Sequence, residues 1–173
     1  NWVLQHSNVF GEDGGFTGHF HSRAATVAGI LKLGIATARE ELIVWAKKVY
    51  DWACNWSNSS SFGWFVEVVD PHNVLGQVGE TCCITDMIDI AIMLARIGND
   101  NYWDHVERYT RNQLLENQLV DIGWIKRSKI TKRKQDTELS SFNNVDRRVI
   151  GAFAAGSAPN DFVGNSPRGF GYC

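Results

Sequence analysis

Gly79-Glu80-Thr81-Cys82-Cys83 sets a carboxylate and a thiol two residues apart, at the point where an apolar helical pattern begins. With the backbone still extended at Glu80, both side chains can face one cavity. The polarity of a helix N-terminus favours the thiolate, the form that attacks carbon or binds a metal. Glu80 and Cys82 from one loop offer two zinc ligands, and Cys173 is the candidate for a third. The opposing reading makes Cys82 and Cys83 small buried side chains and Glu80 an acid at a helix start. For a bare Glu-x-Cys that opposing reading is the commoner one.

Two further groups of residues have the types that chemistry needs. Gly18-His19-Phe20-His21-Ser22-Arg23 opens a helix, so His19, His21 and Arg23 can meet sugar hydroxyls or an anion there; as structural hydrogen-bonders the two histidines are equally at home. Glu67 follows Gly63-Trp64-Phe65 in an apolar loop, a setting that raises a carboxyl pKa as a general acid requires. Its alternative is the wet face of an alternating strand. None of the cysteine spacings resembles a zinc finger or a redox Cys-x-x-Cys motif, and adjacent Cys82 and Cys83 are poor disulfide partners.

These residues need elements to position them. Ala24, Val27, Ala28, Leu31 and Ile35 recur at helical spacing and predict a helix over 21–36, in which Gly29 and Gly34 allow a neighbour to approach closely. Thr37-Ala38-Arg39-Glu40 reads as a capping box opening a second helix over 40–55, with Leu42, Trp45, Val49, Trp52 and Trp56 on one stripe. Phe62 to Val69 is apolar and β-branched, a short strand or extended loop. A third helix over 83–97 turns Met87, Ile90, Ala91, Leu94 and Ile97 inward and stops at Gly98. Asn101 can cap a fourth over 102–119, with Val106, Tyr109 and Leu114 near one face. Trp45, Trp52, Leu94 and Val106 are the expected core. Short turns make each pair of helices an antiparallel hairpin. The expected fold class is all-α, hairpins forming part of an (α/α) toroid in a single helical domain. One long irregular segment, 153–172, lies near the C-terminus.

Composition narrows the classes. In 173 residues, 44% are apolar and 21% charged, which excludes a disordered tail and a disulfide-dense mini-protein. No apolar run approaches the roughly 18 residues of a membrane span, and a net charge of −2 gives no general case for nucleic acid. Residues 126–134 do carry six basic side chains, but without aromatic interleaving they read as a solvated surface loop. Seven Trp, nine Phe and four Tyr suit the packing between helices first, and the lining of a carbohydrate site second. The ends of the sequence read as those of an excerpt from a longer protein.

In chain order, Gly18-His19 to Arg23 at a helix start is followed by a helical hairpin and by an aromatic loop with Glu67. Then come Glu80-Thr81-Cys82, a helix from Asp86 to Arg96, and Tyr102-Trp103-Asp104-His105-Val106-Glu107-Arg108. This order resembles the catalytic domain of the β-L-arabinofuranosidase family of glycoside hydrolases (family 127) and its uncharacterised relatives, and Ala158-Pro159-Asn160-Asp161-Phe162 suits the relatives. The resemblance spans nearly all of the chain.

The family likeness implies a helical toroid with β-sandwich domains outside this stretch, and zinc held by one Glu and three Cys. It also implies a zinc-bound Cys nucleophile and a Glu acid/base. Carried over, Glu80 and Cys82 take zinc positions. Cys173 falls where a vicinal Cys pair stands, as ligand and nucleophile. Glu67 lies near the acid/base position, and His19 or His21 matches a substrate-contacting His. The expected activity is that of a zinc–thiolate retaining glycosidase with a carbohydrate substrate, and without nucleic-acid or membrane partners. The alternative is a non-catalytic toroid that binds carbohydrate or serves as a scaffold.

Overall fold

A computed structural model of the chain describes residues 8–72, 79–120, 136–139, 141, 143–153 and 156–157. The basic run 126–134, most of the segment 153–172, and Cys173 lie outside the described residues.

The described chain is mostly helical. In order it runs β1 (Gly18–His19), α1 (Phe20–Thr37), α2 (Glu40–Asn55), a single turn α3 (Asn58–Ser61), β2 (Val68–Val69), β3 (Gly79–Glu80), α4 (Thr81–Arg96), α5 (Tyr102–Tyr109), α6 (Val145–Arg148) and β4 (Gly156–Ser157). The two expected hairpins are present: α1 packs on α2, and α4 packs on α5. They are joined chiefly by α1 lying against α4, where the Lys32 ammonium also meets Asp89 at 2.8 Å across the exposed edge. No helix among the described residues is long and apolar enough to cross a membrane.

The inward faces explain the packing. α1 buries Phe20, Ala24, Val27, Ala28, Leu31 and Gly34, and α4 buries Met87, Ile90, Ala91 and Leu94 among others. Ile97, expected inside, and Ile35, which shares the helical spacing of the α1 residues, sit at helix ends and are exposed. On α2 the buried stripe is Leu42, Ala46, Val49, Tyr50, Ala53 and Cys54. This keeps Leu42 and Val49 of the expected stripe and puts Ala46, Tyr50, Ala53 and Cys54 where its tryptophans were expected. Trp45 and Trp52 are therefore only partly buried, packing edge-on to Phe10 (5.1 Å between ring centroids) and tilted against Phe16 (5.0 Å). Of the four expected core residues Leu94 is fully buried, while Val106 joins the two tryptophans in partial burial.

Neither expected side-chain cap forms. Thr37 does not cap α2; it belongs to α1, and its hydroxyl donates back to the Leu33 carbonyl at 2.6 Å. Ala38 takes the left-handed conformation (φ +50°), and Arg39 N–H donates to Gly34 O at 2.9 Å, so α1 ends in a C-terminal cap before α2 begins. Asn101 makes no side-chain cap for α5. Gly98 (φ +102°) ends α4 as expected, with Gly98 N–H on Ala95 O (3.1 Å) and Asn99 N–H on Leu94 O (3.2 Å).

The expected 102–119 helix is α-helical only to Tyr109. It widens into a π-helical turn over Thr110–Leu114 and regains α form at Leu115 and Glu116. Such turns gather at functional sites. Here the turn aims the fully buried Gln113 at the start of α4.

A polar cluster crosses the core between α2 and α5. The Tyr50 hydroxyl lies 2.9 Å from His105 Nδ1, and the Tyr109 hydroxyl lies 3.1 Å from the Cys54 sulfur and 3.3 Å from His105 Nδ1. The Tyr102 hydroxyl donates to Asp51 at 2.6 Å. Burial holds His105 below its ordinary pKa, with the nearby Arg108 charge adding to the effect, and pushes the Cys54 thiol up to about 12. These partners satisfy groups that would otherwise be costly to enclose.

The two α1 glycines give a direct check. A Cβ on Gly29 would meet nothing within 4 Å, whereas one on Gly34 would lie 3.0 Å from Leu42 Cβ and 3.1 Å from Ile43 Cγ1. Gly29→Ala should therefore stabilise by about 0.5–1 kcal/mol through helix propensity alone. Gly34→Ala should destabilise by about 1–3 kcal/mol through overpacking. Urea midpoints moving in opposite directions would bear this out, and a shared upward shift would contradict the close α1–α2 contact.

Candidate metal centre

The site is built where α1 and α4 begin. β1 pairs antiparallel with β2, with Gly18 opposite Val69 and His19 opposite Val68, and Phe20 N–H then donates to Glu67 O at 2.8 Å. One residue further along the same extended segment, Val66 bridges Gly79. The chain from Val66 to Val69 thus runs past both helix starts. β3 gains a second neighbour in β4, Gly79 opposite Ser157 and Glu80 opposite Gly156. Gly79 leaves no room for a side chain, since a Cβ there would fall 2.5 Å from Trp64 Nε1, 2.6 Å from Gln113 Nε2 and 2.8 Å from Phe65 O. Gln113 accepts Phe65 N–H at 2.9 Å and donates to Glu80 O at 3.4 Å, and Asn117 donates to the Thr81 hydroxyl at 2.9 Å. Buried amides thus hold the Glu80 carbonyl and the Thr81 hydroxyl.

Glu80 occupies the N-cap position of α4 in extended conformation (φ −118°, ψ 142°), and Cys82 and Cys83 fall in the first helical turn. That geometry brings their side chains together. One oxygen of Glu80, Oε2, accepts from the Cys82 thiol at 3.4 Å and from the Cys83 thiol at 3.8 Å, and it lies 3.4 Å from His19 Nε2. The donor atoms of Glu80, Cys82 and Cys83 all lie within 4.8 Å of one another and can hold a metal ion. Two sulfurs and a carboxylate oxygen suit a borderline-soft ion such as zinc and not magnesium or calcium.

The two thiols are unlike. Hydrogen bonding from Cys83 holds the Cys82 thiol below its ordinary pKa, against burial and the Glu80 charge, and the His21 charge assists. Cys83 is pushed far up by donating to Cys82 and by burial. Of the two, Cys82 is therefore the thiol that ionises more readily.

Beside this cluster His21 Nδ1 lies 2.6 Å from Asp86 Oδ2, and the His19 and His21 ring centroids are 6.0 Å apart. Burial works against a charge on His21, but the Asp86 hydrogen bond and charge outweigh it and hold His21 above its ordinary value. Burial in turn holds the Asp86 carboxyl above the usual range despite His21. With Nδ1 taken by Asp86, Nε2 is the His21 nitrogen left for a ligand.

Of the residues singled out in the sequence, Glu80, Cys82 and His19 are brought together, and His21 stands next to them. Glu67 lies on the segment that passes the start of α1, partly buried between Val66 and Val68. Arg23 donates to Thr17 O at 3.3 Å rather than reaching the cluster. Cys173 lies outside the described residues. Three contributors were not expected: Cys83 as a donor beside Cys82, Asp86 as the partner of His21, and Gln113 as the anchor of Glu80. The vicinal cysteines at a helix start carried a signal for the first. In comparisons with protein-family models, curated proteins and solved structures, nothing matches this chain.

Metal-free protein treated briefly with iodoacetamide at neutral pH should be alkylated at Cys82 at least about tenfold faster than at Cys54, because only thiolates react. Peptide mapping by mass spectrometry reads the ratio. Comparable labelling of Cys54 and Cys82 would contradict this ordering of the two thiols.

Proposed function

We propose that this chain carries the metal centre of a zinc–thiolate retaining glycosidase related to the β-L-arabinofuranosidases of glycoside hydrolase family 127, within an (α/α) toroid. The observation that carries the reading is the convergence of Glu80 with Cys82 at the start of a helix, the Glu-x-Cys that the resemblance assigns to zinc. Zinc bound there keeps its thiol ligands deprotonated at neutral pH.

The protein's own residues do the rest in this reading. Cys173 is the nucleophile; its sulfur bonds to the anomeric carbon as the glycosidic C–O bond breaks. Glu67 delivers its proton to the leaving oxygen, then takes one from the water that releases the sugar. His21, oriented by Asp86, and His19 contact sugar hydroxyls, so the substrate class is an arabinofuranoside or a related sugar.

A second reading, carbohydrate binding without cleavage, is favoured by one observation. An open groove of about 600 Å³ on α2 is lined by Trp52 and Trp56 with Lys47, Asp51, Asn55 and Asp13, aromatic faces beside polar groups as a sugar ring requires.

The test is hydrolysis of aryl arabinofuranosides by the zinc-loaded full chain, with the product anomer followed by NMR. Retention of configuration is expected, with at least about a hundredfold loss of kcat in Glu67→Gln and Cys173→Ser. Oligosaccharide binding without hydrolysis, unchanged in Cys82→Ser and lost in Trp56→Ala, would establish the second reading instead.

A further inference from the structure

We propose that Gln113 is a positioning residue of the metal centre, setting how firmly Glu80 holds the ion; the inference rests on reading the Glu80 cluster as a metal centre. Gln113 is fully buried and reaches the start of α4 from the π-helical turn Thr110–Leu114. Its two amide atoms have different partners. Oε1 accepts Phe65 N–H at 2.9 Å. That partner can only donate, so Nε2 faces the other way, where it donates to Glu80 O at 3.4 Å. Gly79 makes room for this approach, since a Cβ there would fall 2.6 Å from Gln113 Nε2. A hydrocarbon side chain in place of Gln113 would leave Phe65 N–H unpaired in the core, at a cost.

A merely structural role would end with those two backbone groups. What extends it to the metal is the place of Glu80 in the chain. Its Oε2 is the atom that meets both thiols, and the residue is an extended N-cap between a strand pair and a helix. On the strand side it is held by β4, with Glu80 opposite Gly156. Towards the helix, the Glu80–Thr81 peptide carries the carbonyl that Gln113 holds. A tilt of that peptide changes ψ at Glu80 and moves its carboxylate relative to the sulfurs on α4. Metal ligands have to sit within about 0.2 Å of their bond lengths. Restraint of this one peptide is therefore restraint of the site.

The experiment uses the full chain and its Gln113→Met, Gln113→Glu and Leu94→Ala variants, each checked by circular dichroism for its helices. Gln113→Met keeps the length of the side chain without the amide. Gln113→Glu, once ionised, keeps the acceptor for Phe65 N–H and loses the donor to Glu80 O; it carries the test if Gln113→Met does not fold. Leu94→Ala opens a cavity in the core near the other end of α4 and so controls for lost stability alone. Zinc affinity is measured by competition with a chromophoric chelator, and cobalt(II) in place of zinc reports coordination through its absorption bands. Expected is about 10–100-fold weaker zinc binding in both Gln113 variants, the loss typical of an outer-shell partner. Their cobalt should keep its sulfur charge-transfer band, because the sulfurs stay, while its ligand-field bands shift. Leu94→Ala should keep the affinity and both sets of bands. Gln113 variants with the parent's affinity and spectrum, a loss confined to Gln113→Met, or a Leu94→Ala variant weakened as much as they are, would overturn the proposal and leave the metal centre standing. No zinc or cobalt bound by the parent chain would overturn the metal centre and the inference with it.

Discussion

One extended segment, Val66 to Val69, governs the site because it touches both helix starts. Its pairing with Gly18–His19 fixes where α1 begins, and the bridge from Val66 to Gly79 fixes where α4 begins. That strip adds to the α1–α4 packing in setting His19 and Glu80 beside each other. With it, an imidazole and a carboxylate far apart in sequence stand 3.4 Å from each other. Gln113 strengthens the same arrangement from beneath by holding Phe65 and Glu80 with one buried amide. The π-helical turn that aims it departs from regular helix in a place where the departure has a use.

The rest of the molecule is a support for that strip. α1 and α4 pack through small and aliphatic faces, and the flanking helices α2 and α5 carry a separate polar cluster around His105. The two polar regions differ in chemistry. Cys54 is enclosed, its thiol raised by burial and bonded to Tyr109, so it serves packing. Cys82 is partly exposed at a helix start, and its thiol is held below its ordinary value by its neighbour. The same side chain is held protonated in one place and ionises more readily in the other because burial and hydrogen-bond direction differ.

The helices were legible because their apolar spacing is local, and Gly98 ended α4 where the sequence placed the stop. What failed depended on fit between elements. On α2 the buried face takes Tyr50, Ala46, Ala53 and Cys54 in place of the tryptophans, and α1 runs through Thr37, which the local pattern places as a cap. Glu80 with Cys82 was legible from spacing and helix polarity. Cys83 has no role in the sequence reading, although a helical turn beginning at an extended Glu brings two consecutive side chains within reach. Asp86 and Gln113 were not legible at all, since their partners lie 65 and 33 residues away and only the tertiary fold joins them. The toroid and the glycosidase chemistry rest on motif order alone.

The central claim is that Glu80, Cys82 and Cys83 hold a metal ion. Crystals grown with stoichiometric zinc and measured on either side of the zinc absorption edge test it most directly. The account predicts an anomalous peak bonded to Glu80 at about 2.0–2.2 Å and to both sulfurs at about 2.3 Å. A zinc peak elsewhere, with the three side chains still hydrogen-bonded to one another, would contradict it.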